Sequence, residues 1–385
     1  MTPSYPSPIR TDGSNDFARQ SMAKRVPRIF QEAIDRNPDY PRGIHQNIRR
    51  LKDAIAHDKP LKLFDPPAPD YDWWHRRFSD HQGESWLGTE WLFAEMLAYR
   101  HLADACRYWT TRRDPFHPVK KEEMESEAVI SLLNEALHRE GGRAEQLRHA
   151  LVDALWGNRM DLSMKGVLAQ GVQASDDQLL VDDTPAVVDD LLAGEPGTVH
   201  IIMDNAGTEE AFDLALVDRL LRDKVARSVT LHVKMIPVLV SDVLGEDVYA
   251  LLDVLEASGG PVAQLAERIH GYINRGSLHI IPDLFWSTDG RMHELPPRLQ
   301  QGMENASLIV AKGDANYRRA TNDAIWPQDA RWEEAVASLP APFLALRTIK
   351  SDTLVGVAPD TTHRLDEQEG AWRTEGSHAV AQYAL

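Results

Sequence analysis

Between Thr198 and Leu221 the chain reads TVHIIMDNAGTEEAFDLALVDRLL, and its periodicity changes abruptly at a cluster of small and polar residues. Val199 to Met203 has the character of a buried strand. Asp204, Asn205, Ala206 and Gly207 then make a tight turn. Thr208 opens a helix whose apolar positions, Phe212, Leu214, Leu216, Val217, Leu220 and Leu221, recur at helical spacing. A carboxylate and an amide are therefore expected at the carboxyl end of a strand beside a helix N-terminus. Ligands bind at that edge of open α/β sheets, and the helix amides favour an anion there.

Beyond residue 175 strand and helix patterns alternate. LLVDD at Leu179–Asp183 is the first short strand; SVTLHVKMIPVLVSDV, LHIIPDLFW, ASLIVAKGDANYR and PFLALRTIK follow, separated by helical stretches such as Val248–Leu255 and Val262–Ile273. This order predicts a three-layer α/β/α core with a mainly parallel, Rossmann-like sheet whose strand ends share one edge. Before residue 175 almost no β-branched alternation occurs, so a mainly helical region precedes the core. Within it ESWLGTEWLFAEMLAYRHLADACRYW carries a broad apolar face, and Glu90, Glu95 and Arg100 need partners if buried. The expected division is a helical domain over residues 1–165, with 1–15 poorly ordered, and an α/β/α domain over 166–385. LWGNRMDLS is a polar connection between them, and the stretch after about Val357 reads as a surface segment.

Bulk properties exclude several classes. The formal charge of −17 opposes non-specific binding to nucleic acid or anionic membrane. No run reaches the roughly 20 apolar residues of a membrane span. The single cysteine, Cys106, permits neither an intramolecular disulfide nor a cysteine-rich zinc site. Together with an N-terminus lacking an apolar signal core, this leads to the expectation of a cytoplasmic protein. His232, in the alternating run LHVK, reads as a packed residue.

Four strand ends carry the chemistry. One ends in Asp204-Asn205; a strand through Val238–Val240 ends in Ser241-Asp242; Ala306–Val310 runs into Lys312-Gly313-Asp314-Ala315-Asn316-Tyr317-Arg318; Phe343–Leu346 runs into Arg347-Thr348-Ile349-Lys350. Asp204, Asn205 and Asp242 supply hard oxygen ligands suited to Mg²⁺ or Mn²⁺, exchangeable for Co²⁺ or Ni²⁺. Lys312, Arg318, Arg347 and Lys350 supply cations able to hold a phosphate. A divalent cation beside a cationic clamp is equipment for phosphoryl transfer. IIMDNAGT also resembles the haloacid-dehalogenase signature, a strand ending in Asp-x-Asp-Gly-Thr. Ala206 stands at its second Asp, so the usual general acid is missing and Asp204 is favoured as a ligand over a phosphorylated nucleophile.

EWLFAEMLAYR, DPF, LWGNRMDLS, DNAGTEEAFDLALVDRLL, HVKMIPVLVSD, Phe285-Trp286, KGDANYRRATNDAIWP and RTIK run almost end to end through the chain. Together they resemble the damage-control phosphatases, in the subfamily of acidic-residue methyltransferase-like proteins marked by an RTxK segment. The resemblance implies a metal-dependent phosphoric monoester hydrolase acting on a small phosphorylated metabolite, such as fructose 1-phosphate or fructose 6-phosphate, with Mn²⁺, Ni²⁺ or Co²⁺ as cofactor. By motif, Asp204, Asn205 and Asp242 would hold the metal, while Glu209, Asp314 to Arg318 (with Asn316 and Tyr317) and Lys350 would line the substrate site. Asp314 or Glu209 would orient water or protonate the leaving alkoxide, and Asn316 would read a sugar hydroxyl. Two alternatives come from other classes: an S-adenosylmethionine-dependent carboxyl methyltransferase, against which the poor Gly-rich motif counts, and a non-catalytic sensor of metal and sugar phosphate.

Overall fold

The computed structural model describes residues 5–157, 178–368 and 370–385. The polar connection beyond Gly157 and the expected boundary at 165/166 lie outside the described residues.

Seven strands form one sheet: β1 Leu179–Asp182, β2 Thr198–Ile202, β3 Ser228–Val233, β4 Leu278–Pro282, β5 Ala306–Lys312, β6 Phe343–Thr348 and β7 Ala379–Ala384. Their spatial order is β1-β7-β6-β5-β2-β3-β4. From β6 to β4 all neighbours are parallel, whereas β7 runs antiparallel to β6 and β1 parallel to β7. The chain leaves β2 outward through β3 and β4, then returns to lay β5 on the other side of β2. The crevice between the carboxyl ends of β2 and β5 is thus the topological switch point, where such sheets bind ligands.

The period-2 alternation of the strands divides the core. Val199, Ile201, Val229, Leu231 and Val233 face a layer that includes the helices Arg143–Trp156, Thr208–Arg222 and Gly260–Asn274. Ile202, Ile309, Ala311, Phe343 and Ala345 face the opposite layer, containing Gly313–Ala320 and Trp332–Val336. The sheet is therefore covered on both sides, as the near-continuous apolar strands require. The stretch after Val357 is not a surface segment: it forms the helix Pro359–Gln368 and β7, inserted between β1 and β6.

A third core lies among the N-terminal helices. Its axis is Trp91–Ala105, buried on nearly all sides. The charged residues within and beside it are paired. Glu95 accepts from Arg25 and Arg318 at 2.7 Å each, Arg100 binds Asp70, and Glu90 meets Arg291 at 3.3 Å. Residues 5–15 are held as an extended strap rather than a loose tail: Ile9 N–H donates to Asp323 O, Trp91 N–H to Ile9 O and Thr11 N–H to Thr89 O. Backbone pairing offers no side-chain pattern, so the Pro- and Ser-rich composition concealed it. Ile236 and Val238, from the loop after β3, are buried in this same N-terminal core. Among the described residues no helix is long and apolar enough to cross a membrane.

Candidate functional site at the switch point

Pairing continues one residue past β2, where Met203 N–H donates to His232 O at 3.0 Å, and the chain then turns with Asp204 and Asn205. The Asn205 amide Nδ2 donates to Asp204 Oδ2 at 2.7 Å and to Glu209 Oε2 at 2.9 Å. Glu209 is in the first turn of the helix Thr208–Arg222. The anion expected at that helix N-terminus is internal: the Glu123 carboxylate accepts from Thr208 N–H at 3.0 Å. Gly207 has φ +87°, and a Cβ there would lie 2.7 Å from the Glu123 carboxyl carbon, so the turn requires glycine.

Asp242 arrives on a loop rather than on a strand. β3 ends at Val233, and the stretch Val238–Val240 expected as strand is irregular. Leu239 and Val240 have φ of +50° and +75°. Ser241 N–H donates to Leu239 O at 3.0 Å, closing a γ-turn centred on Val240. That positive-φ form is rare and strained, and costlier for a β-branched residue. It brings Ser241 and Asp242 alongside the first loop: Asn205 and Asp242 form an isolated antiparallel bridge, Ala206 N–H donates to Ser241 O at 2.7 Å, and Val243 N–H to Asp204 O at 2.9 Å. Ser241 Oγ also donates to Asn205 Oδ1 at 2.5 Å.

Two buried lysines absent from the sequence reading support this arrangement. Lys234 Nζ lies 3.1 Å from Asp242 Oδ2 and donates to Met203 O at 2.8 Å. Lys120 donates to Asp242 O at 2.7 Å while paired with Asp114 and Asp247. Lys234 had a legible signal, since it continues the alternation Thr230, His232, Lys234 past the end of a buried strand. Lys120, in an ordinary amphipathic helix, had none.

At the end of β5, Lys312 Nζ contacts Glu209 Oε1 at 2.8 Å and Asp213 Oδ1 at 2.7 Å. Asp314 accepts from Arg347 Nε at 2.7 Å, from Lys350 N–H at 3.1 Å and from Ser351 Oγ at 3.0 Å, so the RTIK segment folds around it. Arg347 also donates to Thr353 O and Ser351 O and lies over the Tyr317 ring at 4.0 Å. The Tyr317 hydroxyl is itself buried on Gln382. Arg318 is held by Glu95 and Asp323 at 2.7 Å each, above Trp91. Asn316 Nδ2 donates to Lys312 O and Met203 O, joining the ends of β5 and β2.

The expected clamp of four cations is thus redistributed. Lys312, Arg318 and Arg347 direct their charges into internal carboxylates, for the physical reason that each is fully buried and unpaired burial is costly. Lys350 is half-buried, and its charge acts favourably on the Asp204 carboxylate. Asn316 and Tyr317 form the wall behind the crevice. Asp204, Asn205, Glu209 and Asp242 do come together. Burial, followed by the charges of Glu209 and Asp242, holds the Asp204 carboxyl well above the ordinary carboxylate range. Burial also raises Asp242, against the pull of Lys234. Asp314 is held below the ordinary range by Arg347 and Arg318, which outweigh its burial. His232 is packed, sharing a 2.9 Å contact with His200, and Cys106 is a free buried thiol.

Comparison with known proteins places the chain in a family. A zebrafish (Danio rerio) protein named Damage-control phosphatase ARMT1 is 27% identical over 440 residues, covering 100% of this chain and 98% of its own length. Proteins of the same name from Bos taurus and Homo sapiens are 27% and 25% identical, each with 98% of both chains covered. The crystal structure of a DUF89 family protein from Pyrococcus horikoshii shares the fold, with a TM-score of 0.52 at 16% identity over 96% of this chain and 98% of that one. Residues 21–365 match the family described as the damage-control phosphatase ARMT1-like domain, and the chain belongs to that family.

Proposed function

We propose that the chain is a metal-dependent phosphatase that hydrolyses small phosphorylated metabolites, sugar phosphates such as fructose 1-phosphate or fructose 6-phosphate among them. The observation that carries this reading is the pairing of the Asp204-Asn205 loop with Asp242 at the switch point. Among the described residues no three His, Cys, Asp or Glu side chains form a ligand cluster; the set here is two carboxylates and an amide. It fits a hard divalent cation. Asp242 Oδ2 is buried with Lys234 Nζ at 3.1 Å as its charge partner but accepts no well-aligned hydrogen bond, and the repulsion that Glu209 and Asp242 exert on Asp204 is what a cation would relieve. Asp204, Asn205 and Asp242 would hold Mn²⁺, Ni²⁺, Co²⁺ or Mg²⁺. When bound, the ion would supply Lewis-acid polarisation of the phosphoryl group and of water.

The chain's own residues divide the remaining work. Lys350 holds a phosphoryl oxygen. Glu209, on the other side of Asn205, orients the attacking water or delivers a proton to the leaving alkoxide. Asp314, ionised and carrying three donors, sets the Arg347–Lys350 turn and is not the proton donor. The low dielectric of the buried crevice strengthens each of these interactions.

The test is release of free phosphate from a panel of sugar phosphates incubated with each divalent ion, alongside calorimetric titration with S-adenosylmethionine. Metal-dependent release supports the phosphatase. Binding of the methyl donor without phosphate release would replace it with the methyltransferase reading, and tight sugar-phosphate binding with no turnover under any ion would replace it with the sensor.

A further inference from the structure

Asp213 is a buried carboxylate one helical turn beyond Glu209, on the same face of the helix Thr208–Arg222. Between the two sits one cation, the Lys312 ammonium, 2.8 Å from Glu209 Oε1 and 2.7 Å from Asp213 Oδ1. None of the three side chains is more than 2% exposed. The second oxygen of each acid differs in surroundings. Glu209 Oε2 accepts from Asn205 at the crevice, whereas Asp213 Oδ2 is buried with no hydrogen-bond partner. The hydrogen bond and ion pair that Asp213 makes both run to Lys312, which links it to the site.

We propose that Asp213 is a positioning residue for Glu209: it anchors Lys312 from behind, and the lysine in turn fixes the Glu209 carboxylate with one oxygen on the ammonium and the other facing Asn205. A flexible four-carbon lysine stem holds no direction alone. Anchored between two acids on successive helical turns and rooted at the end of β5, it becomes a rigid strut across the switch point. Lys312 thereby serves the geometry of Glu209 and does not reach the substrate phosphate. Burial, against the attraction of Lys312 and aided by Glu209, pushes the Asp213 carboxyl up to about 7, and Glu210 on the same helix is a further acidic neighbour. The kinetic part of the inference rests on the phosphatase reading above; the structural part does not.

Two measurements on the full-length protein test it. The first is a urea-unfolding cycle with Asp213→Asn, Glu209→Gln and the double variant. Either single change leaves Lys312 one carboxylate, so the unfolding midpoint should move little. The double change orphans a buried ammonium, and the midpoint should fall by much more than the sum of the single shifts. Additive shifts would overturn the strut. The second is steady-state kinetics of Asp213→Asn. The expected result is a kcat reduced roughly ten- to hundredfold with KM within about twofold, the signature of a misplaced catalytic group rather than a lost binding contact. In the Glu209→Gln background Asp213→Asn should reduce kcat no further. An unchanged kcat, or an equal loss in both backgrounds, would overturn the positioning role. Were the wild type to release no phosphate from any substrate, the phosphatase reading would fall and the urea cycle alone would decide the strut.

Discussion

The backbone of Gly313 packs directly on the carboxylate of Asp204, so closely that a Cβ at position 313 would lie 1.9 Å from Oδ2. β2 and β5 meet here, and the φ of +79° at Gly313 lets β5 turn into its helix without displacing the acid. Gly313→Ala should cost roughly 2–4 kcal/mol through backbone strain and overpacking. It should weaken Mn²⁺ binding as well, because the clash is with a proposed ligand, Asp204. Thermal unfolding with and without Mn²⁺ checks both, and a variant with unaltered stability and unaltered metal response would refute the close approach.

The strained turn before Asp242 makes a different prediction. In Val240→Gly, relief of about 1–2 kcal/mol of positive-φ strain is offset by the lost side-chain contact with the N-terminal core. Overall stability should therefore change by no more than about 1 kcal/mol, while the loosened loop binds Mn²⁺ several-fold more weakly. Urea unfolding and calorimetry on the same preparation separate the two quantities. Unchanged affinity would mean that the turn does not position Asp242.

Arg318 ties the site to the N-terminal helices through Glu95, which Arg25 also binds. Arg318→Met should destabilise the protein by roughly 3 kcal/mol, because Asp323 and Glu95 are left in a buried, partly unpaired state. KM should scarcely move if the guanidinium does not contact substrate. A large rise in KM with stability intact would instead return Arg318 to the phosphate.

The paired histidines of β2 and β3 predict acid sensitivity. Burial lowers His200 to about 4, and burial with the neighbouring His200 lowers His232 to about 3. The unfolded chain therefore takes up more protons below the ordinary histidine pKa of about 6.5. Stability is fully present above that pH and declines as pH falls through 6 to 4, by a few kcal/mol in total. Thermal midpoints across this range should fall less steeply in His232→Gln. A parallel fall in variant and wild type would assign the acid sensitivity to other groups.

Much of this was legible because it rests on periodicity. The strand–turn–helix at Asp204, the parallel core and the buried Trp91–Ala105 helix all follow from apolar spacing, and the residues of the first loop met as expected. Three features were not legible for physical reasons. β7, with the sequence AVAQYA, has no branched alternation to mark it, and its place between β1 and β6 is a tertiary pairing. The Val238–Val240 run is apolar because it anchors in the helical core, which the alternation rule mistakes for strand. The ion-pair partners of Lys312, Arg318 and Arg347 lie 33 to 223 residues away for the acids Asp314, Glu209 and Glu95, beyond any local pattern.

Calorimetric titration of the metal-free protein with Mn²⁺, wild type against Asp204→Ala and Asp242→Asn, tests the central claim most directly. One ion should bind the wild type, with affinity lost in both variants while their circular dichroism remains native. Equal binding by all three proteins would contradict a metal centre built from Asp204, Asn205 and Asp242.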